Sequence, residues 1–333
     1  MSSFCAKGLA IGSLTLASPF VLAPMAGLTN WPFRRLALAY GAGLTFTEMV
    51  SSVALSHRGP KTVQMLKTDS TLEKPLAVQL FGRDADSLAA AAKVAVELGA
   101  GLVDLNFGCP AKKVIRSGHG AAIIKDPVLA TSLAKSVVEA VTVPVTVKTR
   151  IAWAPDSPDI FQLAPRLADV GVAAITLHGR YGAQGFEGTA DWSAIGRLAE
   201  KSPVPIIGSG DVTSATMAVE RLKASGVAGV MIGRAARGRP WIFRRCQDLL
   251  AGREPWEPTN EDRLRVAQDH ARWLFAEMGP RAAFLARTVL MWYARKLPGA
   301  AALRDAINHE TDLERQLATL QNSFAGAGFL GVD

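Results

Sequence analysis

Residues 204–250, VPIIGSGDVTSATMAVERLKASGVAGVMIGRAARGRPWIFRRCQDLL, carry one pattern twice. Each copy opens with a short apolar run, 204–208 and then 229–232. It passes through a glycine-rich turn, 208–211 or 233–238, into a stretch of helical period, 214–224 or 240–250. Apolar runs that do not alternate with polar residues belong to strands covered on both faces. Strand–turn–helix units in tandem therefore predict a parallel sheet under a layer of helices.

Working outward, the same unit recurs towards the N-terminus. Strand-like runs fall at 20–23, 44–48, 76–80, 102–106, 145–149 and 174–178, and helical stretches at 31–40, 84–98, 127–141, 159–170 and 192–200. Only the connection 51–74 is irregular. Eight such units predict an α/β fold of the (β/α)8 TIM-barrel type over residues 1–250. An open doubly wound sheet is the alternative, but no GxGxxG follows the first strand. The apolar stretch 4–27 is broken by Lys7, Ser13, Thr15, Ser18 and Pro19 and reads as a buried hairpin and first strand, not a membrane segment.

After Gly252 the texture changes to the linker-like EPWEPTN and then to helical period without strands, predicting a small all-helical domain over 251–333. Thr259 with Asp262 and Thr311 with Glu314 resemble capping boxes, placing helix starts near 260 and 312; two further helices are expected over about 281–297 and 300–307.

The composition, 49% apolar in 333 residues, suits an ordinary globular protein. Cys5, Cys109 and Cys246 lie far apart without metal-ligand spacing, which argues against a zinc site or a disulfide framework and for a reducing cytoplasm. The formal charge of +8 permits a polyanionic partner without requiring one. Residues 1–253 hold 28 Lys and Arg against 18 Asp and Glu, whereas the tail holds 9 against 11. Within that tail Arg281, Arg287, Arg295, Lys296 and Arg304 follow one another with no acid between, so one cationic face is expected.

In a (β/α)8 barrel chemistry collects at the C-terminal ends of the strands. Those ends hold Pro24, Met25 and Ala26; Glu48; Gln79; Asn106 with Cys109; Lys148 with Arg150; His178 with Arg180; Ser209, Gly210 and Asp211; and Gly233 with Arg234. Glycine-rich loops after strands seven and eight are where barrels commonly hold a phosphate on backbone N–H groups, and Arg234 adds a charge-assisted bond. Lys148 is placed to stabilise negative charge near N1 of a reduced flavin, or to form a structural ion pair, for instance with Glu48. Gln79 offers an amide donor and acceptor to a pyrimidine-like edge, or a plain loop contact. His178 reaches the same edge or is a satisfied structural group. Cys109, in the loop NFGCP (106–110), is either a small buried residue or a general acid. A free thiol titrates near about 8.5 and so carries a proton at neutral pH.

The segments APMAGLT (23–29), NFGCPAKKV (106–114), VKTR (147–150), TLHGR (176–180) and MIGRAARGRPW (231–241) resemble the bacterial tRNA-dihydrouridine synthases, nearest the DusB branch. The resemblance runs in order over about residues 10–250. It implies an FMN barrel followed by a helical tRNA-binding domain, reducing the C5=C6 bond of uridines in tRNA with NADPH or NADH as reductant. By position, it implies that Pro24, Met25 and Ala26 line the flavin, and that Gln79, Lys148 and His178 meet its ring. Ser209, Gly210, Asp211, Gly233 and Arg234 would hold its phosphate, and Cys109 would protonate C5. Asn106, Arg150 and Arg180 are candidates to face flavin or uracil. A monomer is expected. Two other functions stay open: an FMN reductase of a free pyrimidine or activated alkene, and a non-catalytic RNA-binding barrel.

Overall fold

The computed structural model describes residues 8–295 and 297–327. Residues 4–7 of the predicted N-terminal hairpin, Cys5 and Lys7 included, and Lys296 of the cationic face lie outside them. Eight parallel strands form the barrel: Phe20–Leu22, Leu44–Thr45, Leu76–Phe81, Ala100–Phe107, Val145–Arg150, Ala174–His178, Ile206–Ser209 and Gly229–Ile232. Each pairs with its sequence neighbour, and the first pairs with the eighth. The second meets the third through a parallel bridge between Phe46 and Ala77, which closes the ring. A short ninth strand, Val50–Ser51, pairs parallel with the end of the third. In the irregular connection two short helices, Ser52–Ser56 and Pro60–Gln64, follow.

Most helices that cover the barrel start on a side chain able to bond the free N–H groups of the first turn. Asp84, Asp126, Asp159, Asp191 and Ser214 each accept from a backbone N–H two or three residues on. Between strands and helices lies the main core. A separate core fills the barrel interior, where Leu9, Ile11 and Leu16 pack against Val21, Phe46, Ala77, Leu102, Ala174, Ile207 and Met231. The first three belong to the antiparallel hairpin Leu9–Ile11 and Leu14–Leu16, which therefore plugs the N-terminal end of the barrel.

Beyond the barrel come the helices Asn260–Met278, Ala282–Tyr293, Ala300–His309 and Leu313–Ala325. The capping box of Thr259 and Asp262 is formed in both directions. At the last helix the cap is Asp312, which accepts from the Arg315 N–H at 2.9 Å; the start signal lies one residue beyond the expected Thr311. These helices share a core with the barrel residues Leu36 and Trp241. The Phe33 and His270 rings stack with centroids 5.5 Å apart at 7°. At Gly238, whose φ is +68°, an added Cβ would sit 2.4 Å from the Trp292 carbonyl oxygen. Only glycine permits that approach, so the loop after strand eight lies directly on the second C-terminal helix.

Candidate active site

A cavity of about 730 Å3 opens at the C-terminal ends of the strands. Its floor follows from strand register. Gln79 pairs across to Asp104 and Asp104 to Thr146, while Asn106 pairs with Lys148. Residues two apart on a strand share a face. Asp104 and Asn106 therefore both point inward, stacked one above the other.

These groups bond one another. Asp104 is fully buried and accepts from Thr146 Oγ1 at 2.6 Å and from Gln79 Nε2 at 2.7 Å. Gln79 Oε1 accepts from Asn106 Nδ2 at 2.9 Å. Asn106 Oδ1 accepts from the N–H groups of Cys109 at 2.9 Å and Gly108 at 3.2 Å. Burial raises the Asp104 carboxyl to about 6, against the opposing pull of its two side-chain donors and of Lys148. Cys109 is partly buried on the cavity wall. Its carbonyl accepts from the Ala121 N–H at 3.0 Å, so the loop is pinned on both sides.

Lys148 also lines the cavity, and burial with Arg150 nearby brings its ammonium down to about 8. Its expected alternative partner is engaged elsewhere: Glu48 accepts from the Gly27 N–H, holding the 24–27 loop, and burial raises its carboxyl. Among the described residues no ion pair joins Glu48 to Lys148. His178 stays neutral, because burial and the cations Lys148, Arg150, Arg180 and Arg234 all disfavour its charge. Its Nδ1 is buried and has no partner among the described residues.

Pro24, Met25 and Ala26 line the cavity, as do Ser209, Gly210, Asp211, Gly233 and Arg234; Gly233 lies beside Ala23 and Met25, because strand eight pairs with strand one. Gly210 has φ +122°, and an added Cβ would strike Ala190 Cβ at 2.6 Å. Asp211 is itself left-handed at φ +52°. Its carboxylate binds Arg180 and the Ala190 N–H, which hold it below its ordinary range despite burial.

Two of the buried arginines, Arg150 and Arg180, were candidates to face flavin or uracil. Arg150 touches the cavity, but its guanidinium donates to the carbonyls of Gly108, Tyr181 and Gly185. Arg180 is not brought to the cavity wall. It donates to the carbonyls of Glu187 and Gly188 and to Asp211, tying the loop after strand six to the loop after strand seven. Both residues clamp loops, the work to which a rigid planar fork is suited.

Some cavity residues, and Asp104 beneath the cavity, were not among the expected site residues. Arg237, Arg239 and Arg295 ring the mouth, and the nearby Arg234 and Arg295 lower the Arg237 pKa after burial. Arg295 comes from the turn that follows the second C-terminal helix. Phe186, 61% exposed, lies between Arg150 and Arg234, each 5.5 Å from its ring centre. Asp104 had a signal: an acid inside an otherwise apolar strand requires inward partners.

Residues 21–327 match the family model described as dihydrouridine synthase (Dus). The chain is 38% identical over 322 residues to a probable tRNA-dihydrouridine synthase of Rhodobacter capsulatus, covering 95% of this chain and 98% of the relative. It is 37% identical over 321 residues to tRNA-dihydrouridine synthase B of Pseudomonas syringae pv. tomato, covering 95% and 94%. A probable tRNA-dihydrouridine synthase 1 of Synechocystis sp. is 39% identical over 304 residues, 91% of this chain and 85% of the relative.

Proposed function

The chain belongs to the dihydrouridine synthase family, and on that premise we propose that it reduces the C5=C6 bond of uridines in tRNA, using FMN and NADPH or NADH. The observation that carries this reading is the convergence of Cys109, Gln79, Lys148 and both glycine loops on one cavity.

The residues present fit FMN. The orphaned Nδ1 of His178 and the Lys148 ammonium call for a polar, electron-rich partner, and the loops at 209–211 and 233–234 suit a phosphate. FMN bound there would supply hydride-transfer chemistry for C6 of uracil, with the nicotinamide as the source of electrons. Gln79 would present an amide edge to the pyrimidine-like side of its ring, and Lys148 would offset negative charge there. The Cys109 thiol gives its proton to C5 as enolate character builds on the uracil.

The target base must leave the folded RNA, at a cost of a few kcal/mol that contacts elsewhere offset. Arg237 and Arg239 on the barrel and Arg295 after the second C-terminal helix supply a cationic mouth for phosphates flanking that base, with Lys112 and Lys113 further along the rim. On this reading residues 1–250 form the catalytic domain and 251–333 the tRNA-binding domain. Arg287 contributes less than its place in sequence implies, because it donates to the Glu310 carbonyl.

The test is anaerobic. Flavin reduced by NADPH is offered tRNA lacking dihydrouridine, or free uridine, in the parent protein and in Cys109→Ala. Reoxidation by tRNA alone, slowed at least about 100-fold in the variant, is expected from loss of a general acid. Equal reoxidation by free uridine would favour the small-molecule reductase instead, and a protein that binds no flavin would favour the RNA-binding barrel.

A further inference from the structure

We infer that Asp104, a residue that touches neither cavity nor substrate, sets the hydrogen-bonding polarity of the whole active-site floor. An ionised carboxylate only accepts. Gln79 must therefore turn its Nε2 towards Asp104, which leaves its Oε1 to face Asn106. Asn106 must then turn its Nδ2 to that oxygen, which leaves its Oδ1 to receive the Gly108 and Cys109 N–H groups. Each amide has two orientations of nearly equal shape, and sterics alone does not choose between them. One buried charge makes the choice for both.

The relay has two ends. At one, it fixes the loop that carries the Cys109 thiol. At the other, it decides which side of the Gln79 amide offers its remaining N–H to the cavity and which side its remaining lone pair. Asp104 is thus a positioning residue for flavin and for acid at once. The part concerning flavin rests on the FMN reading above; the part concerning the relay does not.

Reversing the polarity tests this. In Asn106→Asp a second carboxylate faces Gln79, and no orientation of that amide satisfies both ends. The variant is expected to be severely destabilised near pH 8 and to recover as the pH falls and one carboxyl protonates to become a donor. Asp104→Asn alone is mild, since Thr146 can accept as well as donate. In the double variant, which combines the two substitutions, the carboxylate has moved to position 106. The new amide at position 104 then donates to Gln79 Oε1, Gln79 Nε2 donates to the new carboxylate, and the chain is satisfied in the opposite sense.

The expected result is non-additive rescue: the apoprotein of the double variant melts close to Asp104→Asn and far above Asn106→Asp. With Gln79 turned over, the double variant should bind FMN at least tenfold more weakly than the parent and shift the visible flavin spectrum. A double variant as unstable as Asn106→Asp, or one that fails to fold, would overturn the relay. Rescue with parental FMN affinity and spectrum would overturn its link to the flavin edge. Rescue in a protein whose parent binds no FMN would leave the relay standing and defeat the FMN reading instead.

Discussion

The floor and the mouth of the cavity are built on opposite principles. On the floor, Gln79, Asp104, Asn106 and Thr146 spend their hydrogen bonds on one another, and strand register fixes their spacing. At the mouth, Arg234 and Arg295 are exposed and Arg237 is half-exposed, and among the described residues the acid paired with them is Asp211, 3.7 Å from Arg234. A floor satisfied from within holds one geometry for a flat, rigid guest. A mouth of long cations adapts to a flexible polyanion and acts through charge. Substitutions on the floor should therefore alter stability and cofactor binding, and those at the mouth should alter salt-dependent affinity alone.

The largest effect is expected for Asp104→Leu, which strands Gln79 Nε2 and the Thr146 hydroxyl in the core. A loss of roughly 3–5 kcal/mol is anticipated in denaturant unfolding, together, on the proposed function, with weakened flavin binding. A loss below about 1 kcal/mol would mean that the floor is not self-satisfied.

Lys148→Met comes next and has a sign set by pH. The folded protein lowers the ammonium from 10.5 to about 8. Between those values the unfolded chain holds a proton that the folded one has lost, so stability rises with pH across that window. Below about 8 the full cost of the buried charge is present. The Met variant of the apoprotein should thus be more stable than the parent at pH 7 by roughly 1–3 kcal/mol, a gap that closes towards pH 10.5. Thermal melts of the apoprotein between pH 7 and 10.5 measure it, and parallel profiles would refute it.

Gly238→Ala probes the seam between the two regions. Positive φ and the Trp292 carbonyl together are expected to remove roughly 2 kcal/mol, read in thermal unfolding, and to weaken tRNA binding by displacing Arg237 and Arg239 from Arg295. The smallest effect belongs to Arg295→Ala. It should leave melting unchanged, lower tRNA affinity a few-fold near 50 mM salt and shrink the salt slope by about one unit. An unchanged slope would place the phosphates elsewhere.

The barrel was legible because its strands are short apolar runs ending in polar residues or glycine, and that pattern is local. The floor was half legible. Gln79, Asn106, Cys109 and Lys148 stand at strand ends, where position alone marks them. Asp104 lies one layer deeper, and its bonds to Gln79 and Thr146 appear only once three strands are set in register. Arg180 was placed with the chemistry because it follows His178, yet the chain turns beyond the strand and its guanidinium meets Asp211. Arg295 was legible as a cation but not as a wall of the cavity. That depends on the stacking of His270 on Phe33 and the meeting of Gly238 with Trp292, contacts between segments far apart in sequence. At Asp312 the difference is one residue, since both Thr and Asp can cap and Asp does so better.

The hairpin that plugs the barrel bears on traffic. With Leu9, Ile11 and Leu16 filling the far end, whatever enters at the strand tips leaves by the same door. On the proposed function, a dinucleotide and the uridine of a large RNA would then queue for one seat above the flavin. Initial rates against one, at several fixed levels of the other, should fall on parallel double-reciprocal lines, with spent dinucleotide blocking the RNA in competition.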